Sequence, residues 1–174
     1  MKAKKRREKL KEVLKSEVEP ITGSKLAEYF DVTRQVIVQD IALLRAEGYD
    51  ILATSQGYIL KNNMGVKTYS KTIACKHDKD DVKEELMTIV KHGAKIRDVK
   101  VEHPIYGEIS GMLMLQTSED VNKFLENTHT EEASLLASLT DGVHLHTIEA
   151  FNEDVLEIIM DELKTKGFLL KEQE

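Results

Sequence analysis

The chain has 174 residues, 41% of them hydrophobic and 32% charged, with one cysteine and a net charge of −6 at pH 7. This composition suits a globular protein of one or two domains, and no apolar run approaches the roughly 20 residues that a membrane-spanning helix needs. Because Cys75 has no second cysteine to pair with, and the basic start of the chain lacks the apolar stretch of a signal peptide, we expect a cytoplasmic protein without an intrachain disulfide or a membrane partner.

The first predicted element is a helix over Lys4–Lys15, whose apolar residues Leu10, Val13 and Leu14 recur at helical spacing and face inward. Four basic residues stand at its start: Lys4, Lys5, Arg6 and Arg7. They either contact phosphate or form a solvated, frayed terminus.

The next two predicted helices, Ser24–Phe30 and Thr33–Glu47, are joined by the short turn Asp31-Val32, with Ser24 and Thr33 as their N-caps. One face of the second helix is apolar, and its opposite face carries side chains that can read base edges in a DNA major groove. The predicted DNA-binding residues are Thr33, Arg34, Gln35, Val38 and Gln39. The alternative is an ordinary helical hairpin whose polar face meets water.

The segment Tyr49–Leu60 is predicted to form two short strands around a polar turn, which would complete a winged helix. From Leu26 to Arg45 the order Leu-Ala-x-x-Phe-x-Val-Thr-Arg-Gln, followed by Asp-Ile and Leu-Arg, resembles the winged helix of bacterial repressors. Many of those relatives have a basic residue just before the Asp-Ile pair. In this chain the residue at that position is Gln39, which has no charge, so the phosphate or base contact that a basic residue would make there is not expected in the same form.

A polar linker, Lys61–Lys67, marks the predicted boundary between a DNA-binding domain over residues 1–62 and a second domain over residues 68–174. Residues 1–62 hold 12 Lys and Arg against 9 Asp and Glu, a net charge of +3, and residues 63–174 hold 13 against 22, a net charge of −9. This asymmetry assigns a double-stranded DNA operator to the first domain. Because +3 is a modest charge, we expect a homodimer, in which phosphate contacts add across two half-sites.

The second domain alternates strands and helices. The predicted strands are Tyr69–His77, Ile96–Glu102, Tyr106–Leu115, Val143–Ala150 and a short Phe168–Leu170, and the predicted helices are Asp80–His92, Ser118–Asn127 and Glu153–Lys166. This order predicts an α+β protein overall, in which the second domain is an α/β sandwich with a largely antiparallel sheet.

The run Gly-Val-His-Leu-His-Thr in the Val143–Ala150 strand contains the sharpest chemical signal. Residues i and i+2 of a strand point to the same face, so His144 and His146 stand side by side. Two imidazoles on one face are a natural pair of metal ligands, although an exposed strand face is the alternative.

Two more residues extend this pair into a candidate metal site. His77 ends a strand, and Glu85 borders the apolar stripe of the following helix. Three nitrogens and one oxygen would suit Zn²⁺, Ni²⁺, Fe²⁺ or Mn²⁺. The predicted ligands are His77, Glu85, His144 and His146. Cys75 lies on the same strand face as His77 and is a fifth candidate, although burial as a small apolar residue is favoured.

The segment His103-Pro-Ile-Tyr106 is a candidate effector site. Pro104 holds the backbone of His103 extended, and the segment either lines a small-molecule pocket near the metal or forms a β-turn. His103 and Tyr106 are the residues we expect to contact an effector.

Three stretches of the second domain together resemble the three-histidine (3H) regulatory domain: His77 with Glu85-Leu86, the run Val-Glu-His-Pro-x-Tyr-Gly-Glu ending at Glu108, and the run from Leu139 to Thr147. Behind a winged helix, this domain resembles that of the niacin-responsive transcriptional repressors of Gram-positive and related bacteria. The resemblance implies a homodimer that represses genes for NAD synthesis or niacin uptake, with nicotinic acid as co-repressor and an HPr-like fold in the second domain. It also maps a metal site, one divalent ion per chain, onto His77, Glu85, His144 and His146.

Two other functions fit the same residues. A metal-responsive repressor would use the ion itself as effector. A metal-dependent enzyme domain could activate water at an open metal position, but Glu108 is the one convincing general base and no glycine-rich phosphate loop is present. We therefore expect a repressor and not an enzyme.

Overall fold

The structure, a computed structural model, describes residues 2–61, 68–130 and 134–170. The chain divides into two compact units, Met1–Val66 and Lys67–Glu174. Residues 62–67 of the predicted linker lie outside the described residues. Among the helices of the described ranges, none is long and apolar enough to cross a membrane.

The first unit is a winged helix. Its elements are α1 (Ala3–Ser16), α2 (Gly23–Phe30), α3 (Arg34–Ala46), β1 (Ile51–Thr54) and β2 (Gly57–Leu60). The predicted inward faces are confirmed, since the core contains Leu10, Leu14, Leu26, Phe30, Ile37, Ile41 and Leu44. Tyr58 of β2 also exchanges two backbone hydrogen bonds with Ile21, at 2.8 and 2.9 Å, so the wing is held to the segment that precedes α2.

The helix caps differ in part from the prediction. The N-cap of α2 is Thr22 and not Ser24, because the helix begins at Gly23 and the Thr22 hydroxyl accepts a hydrogen bond from the Lys25 amide at 3.2 Å. Thr33 does hold the N-cap position of α3, but its side chain makes no capping hydrogen bond.

The second unit contains the strands β3 (Tyr69–Lys76), β4 (Lys95–His103), β5 (Gly107–Leu115) and β6 (Val143–Ala150) and the helices α4 (Val82–Val90), α5 (Ser118–Thr130) and α6 (Glu153–Thr165). The strands pair in the order β3-β6-β4-β5, and each pairing is antiparallel. The predicted sequence of elements is confirmed. Most of these elements differ from the prediction by one to three residues at an end. In addition, the helix expected from Asp80 starts as a 3-10 turn over Lys79–Asp81, and the short strand expected at Phe168–Leu170 is a single bridge between Leu169 and Cys75.

One face of this sheet packs against helices, which confirms the predicted α/β sandwich. The shared core includes Ile73, Leu86, Ile89, Ile96, Leu115, Ile148, Ile159 and Leu163. These residues come from β3, α4, β4, β5, β6 and α6. Because side chains alternate along a strand, every second residue of β6 lies beneath these helices. A 3-10 segment, Leu136–Thr140, which the sequence did not predict, leads into β6.

Candidate functional site

The register of β3 and β6 brings the predicted ligands to one face of the sheet. Cys75 pairs with His144, and Ile73 pairs with His146. His144 and His146 are each 3% exposed, and Cys75 is fully buried. The two imidazoles therefore lie on the core face of the sheet, and the alternative of an exposed strand face is wrong.

Glu85 projects from α4 into this group and is 1% exposed. Its Oε2 atom lies 2.7 Å from Nε2 of His77 and 3.6 Å from Nε2 of His146. Its Oε1 atom lies 3.3 Å from Nε2 of His144. The ring centroids of His77 and His144 are 4.9 Å apart, and those of His144 and His146 are 4.8 Å apart. The fold thus gathers three of the predicted ligands, all histidines, around the carboxylate of the fourth, Glu85. We call these four residues the histidine cluster.

The other nitrogen of each ring faces a backbone carbonyl oxygen. The three Nδ1–oxygen pairs are His77 with Asp78 at 2.8 Å, His144 with Gly142 at 2.8 Å and His146 with Asp98 at 2.7 Å. Because a carbonyl oxygen only accepts, each Nδ1 must carry the proton and donate it. This hydrogen bond fixes ring orientation and tautomer, as it does for many metal-ligating histidines.

With Nδ1 protonated, a neutral imidazole turns the lone pair of Nε2 toward the Glu85 carboxylate. Two acceptors then face each other, so a positive charge is needed between them to make the contact favourable. Burial acts to lower the pKa values of His77 and His146, but the charge and hydrogen bond of Glu85 outweigh it and raise both. Burial acts to raise the pKa of Glu85, yet the charge of His146 and the hydrogen bonds of the histidines hold it well below its usual range. A divalent cation would meet the same demand, so the donor set fits a metal ion.

A tight turn sets the start of β6 against His77. Asp141 and Gly142 both have left-handed backbone angles, with φ of 51° and 82°. A Cβ atom at Gly142 would lie 2.3 Å from the His77 carbonyl oxygen. The Thr140 hydroxyl donates to the Val143 carbonyl oxygen, which ties the preceding 3-10 segment to the strand. Glycine is required here for both its backbone angle and its lack of a side chain.

The orientation of His146 depends on a bulge that the sequence did not reveal. Between Ile96 and Asp98 the pairing of β4 with β6 shifts register. The Asp98 carbonyl oxygen accepts from His146, and its carboxylate accepts from the Thr147 amide at 3.0 Å. Asp98 is therefore a supporting residue of the cluster. Charge and propensity gave no signal for it, because a bulge is a property of paired strands.

The predicted effector residues lie in the β4–β5 turn. His103 Nδ1 accepts from the amides of Ile105 and Tyr106 at 3.2 and 3.3 Å, and the ring centroids of His103 and Tyr106 are 5.0 Å apart. Tyr106 is 75% exposed. The segment forms a β-turn, and in the described part of the chain the hydrogen bonds and ring contacts given for the His103 side chain stay within it. Contact of His103 and Tyr106 with an effector stays a prediction.

In the first unit, four of the five predicted DNA-binding residues are exposed on α3: Thr33, Arg34, Gln35 and Gln39. Val38 is half-buried. A Cβ atom at Gly23 would lie 3.4 Å from Arg34 Nε and 3.4 Å from Tyr58 Cε2, so the Arg34 side chain runs past the start of α2, close to the wing residue Tyr58. The exposed side chains lie mainly on the first turns of the helix, the part that reads base edges in helix-turn-helix proteins.

Asp40 was not predicted to have a role, yet it is 2% exposed and joins α1 to α3. Its Oδ2 atom lies 2.5 Å from Arg6 Nε, and its Oδ1 atom lies 3.7 Å from Arg7 Nη1. The Arg6 side chain is 11% exposed. The expectation of a solvated, frayed terminus is therefore wrong for Arg6, because its guanidinium is paired with a buried carboxylate. A phosphate contact by this basic cluster stays a prediction.

Comparison with known proteins agrees with this architecture. Residues 70–172 match the family model of the 3H domain, and residues 6–59 match that of an HTH domain. The chain is 48% identical to the probable transcription repressor NiaR of Thermotoga maritima over 170 residues, which cover 96% of each chain. It is 40% identical to the transcription repressor NadR of Bacillus subtilis over 169 residues, or 96% of this chain and 94% of the other. Both relatives are named as repressors and not as enzymes, which argues against the metal-dependent enzyme.

Proposed function

Since the chain belongs to the family of transcription repressors that join an HTH domain to a 3H domain, we propose that the histidine cluster regulates its binding to operator DNA. His77, Glu85, His144 and His146 hold one divalent transition-metal ion per chain. Nicotinic acid acts as co-repressor, and the controlled genes serve NAD synthesis or niacin uptake. The observation that carries the metal assignment is that three imidazoles, each oriented by a backbone carbonyl oxygen, turn their Nε2 atoms toward one buried carboxylate.

DNA recognition falls to α3 in this proposal. Arg34, Gln35 and Gln39 are exposed and have the hydrogen-bonding groups that base edges require. The link between Arg6 and Asp40 holds the helix against α1 and so fixes the angle at which it can enter a groove. A homodimer would present two such helices to the half-sites of one operator, which compensates for the modest charge of each domain.

A bound divalent cation would supply a Lewis-acid position for the carboxylate or the pyridine nitrogen of nicotinic acid. The cluster residues contribute in other ways: Glu85 balances part of the cation's charge, and the carbonyl of Asp98 keeps His146 oriented. His103 and Tyr106 offer an aromatic pair for contact with the pyridine ring. Nicotinic acid raises DNA affinity only to the extent that it binds the DNA-competent arrangement more tightly than the other arrangement.

Calorimetric titration of the full chain tests this proposal in two steps. Metal-free protein is titrated with Zn²⁺ or Ni²⁺, and the loaded protein is then titrated with nicotinic acid. We expect one ion per chain, followed by nicotinic acid binding that requires the ion. His144→Ala should abolish both steps, whereas His129→Ala, which removes an exposed histidine of α5, should leave both intact.

Three results would contradict the proposal. If His144→Ala left metal binding unchanged, the ion would not be bound by the histidine cluster. If metal-loaded protein did not bind nicotinic acid, nicotinic acid would not be the co-repressor. DNA affinity that follows the metal concentration without an organic ligand would replace nicotinic acid with the ion itself.

A further inference from the structure

The thiol of Cys75 lies among the proposed metal ligands. Its Sγ atom, a carboxylate oxygen of Glu85 and a ring nitrogen of His144 all lie within 4.8 Å of one another. Cys75 and His144 are directly paired across β3 and β6, and both side chains are on the face that meets the helices. Cys75 therefore faces the cluster rather than the apolar core alone.

The chemistry of the neighbours bears on what this thiol does. A buried cysteine in an apolar site acts as a small hydrophobic residue. Here, however, Cys75 lies beside Glu85 and His144, whose side chains are of kinds that bind metal ions. A divalent cation held by these groups would be the largest local charge, and a thiol that coordinates such an ion is deprotonated. The thiol proton then passes to solvent as the metal–sulfur bond forms.

We propose that Cys75 is a further metal ligand of this chain, so that the site combines a thiolate with the imidazoles and carboxylate of the histidine cluster. This inference rests on the proposed metal site and adds to it a preference among metals. A thiolate favours borderline-soft ions such as Zn²⁺, Co²⁺ and Ni²⁺ over Mn²⁺, which prefers oxygen ligands. Cys75 thereby narrows the range of ions that the other donors would accept.

Cobalt absorption tests the proposal directly. The metal-free full chain is titrated with Co²⁺, and a thiolate ligand gives a sulfur-to-cobalt charge-transfer band in the near ultraviolet. Because the chain has no tryptophan, its side chains absorb little at wavelengths longer than those of tyrosine, where the band is expected. Because the chain has one cysteine, the thiolate can only be that of Cys75. We expect the band to grow to one equivalent in the natural chain and in Ala74→Ser, a control for the neighbouring position on the opposite face of β3. Cys75→Ser should lack it.

Metal preference supplies a second measurement. Cys75→Ser and Cys75→Ala should lower Zn²⁺ affinity by about tenfold or more. Loss of a group that only supports a metal ligand already lowers affinity by about tenfold. The affinity for Mn²⁺ should change less. A natural chain that binds Co²⁺ without the band overturns this inference alone, even if the variants fail to fold, as does a band that persists in Cys75→Ser. A natural chain that binds no Co²⁺ overturns the proposed metal site as well.

Discussion

Replacing Gly142 by alanine should damage the histidine cluster far more than it damages the backbone, and Gly93 provides a matched control. Both glycines have left-handed angles, with φ of 82° at Gly142 and 78° at Gly93. Alanine at either position therefore incurs a similar conformational penalty of roughly 1–2 kcal/mol. The two sites differ in their surroundings: apart from its two chain neighbours, a Cβ atom at Gly93 would meet no described atom within 4 Å, whereas one at Gly142 would lie 2.3 Å from the His77 carbonyl oxygen.

The backbone at Gly142 and His77 must separate by about 1 Å to reach the roughly 3.3 Å of a close carbon–oxygen contact. Functional sites tolerate displacements of about 0.5 Å, and both histidines next to this contact belong to the cluster. We therefore expect Gly142→Ala to lower Zn²⁺ affinity by about 10- to 100-fold, the range seen when the supports of metal ligands are removed. Gly93→Ala should lose stability but retain metal affinity.

Urea unfolding of the metal-free full chain measures the stability of both variants, and a competition titration with a zinc chelator measures their metal affinity. The comparison is made at a urea-free, fully folded condition, so that loss of affinity does not reflect loss of fold. Zn²⁺ binding by Gly142→Ala as tight as that of the natural chain would show that the contact with His77 does not hold the cluster in place. An equal loss of Zn²⁺ affinity in Gly142→Ala and Gly93→Ala would contradict the prediction as well, because the backbone angle that both positions share would then explain the effect.

Three further predictions concern the DNA-binding unit. Asp40→Asn removes the negative charge that the arginines of α1 contact, so the free energy of unfolding should fall by about 1–3 kcal/mol; an unchanged urea midpoint would contradict the link between α1 and α3. Gly57→Ala would place a Cβ atom 2.2 Å from the Ile21 carbonyl oxygen, which accepts a hydrogen bond from the Tyr58 amide. The Tyr58 amide should therefore exchange its hydrogen faster in the variant. An exchange rate equal to that of the natural chain would show that the wing accommodates the methyl group. Arg34→Ala should weaken operator binding by about 1–3 kcal/mol at an unchanged urea midpoint, as measured at one fixed salt concentration; an equal loss on unrelated DNA would make Arg34 a phosphate contact.

Short-range periodicity was sufficient to place three of the four metal-ligand candidates. The alternation of β6 put His144 and His146 on one face, because the period of a strand is fixed at two residues. The helical period put Glu85 beside the apolar stripe of α4, and the structure buries it to 1% exposure. In both cases the local pattern carried the information, and the register of β3 with β6 then brought the elements together.

Contacts between distant segments were beyond such reasoning. Arg6 and Asp40 are 34 positions apart, so the pattern of α1 alone predicted a solvated or phosphate-binding arginine. The role of Asp98 arises from a bulge between two strands, and propensity does not encode a bulge. The N-cap of α2 was misassigned for a different reason: Thr22 and Ser24 are both good capping residues, and only the start of the helix distinguishes them.

In the proposed function, occupancy of the histidine cluster sets the affinity of α3 for DNA. Fluorescence anisotropy of the metal-loaded full chain on labelled DNA from its own upstream region, at one fixed salt concentration, tests it most directly. We expect nicotinic acid to tighten DNA binding by the natural chain and by His129→Ala. His144→Ala should bind DNA with the same, weaker affinity whether nicotinic acid is present or absent. Operator binding that is equally tight in all three proteins and indifferent to nicotinic acid would contradict it.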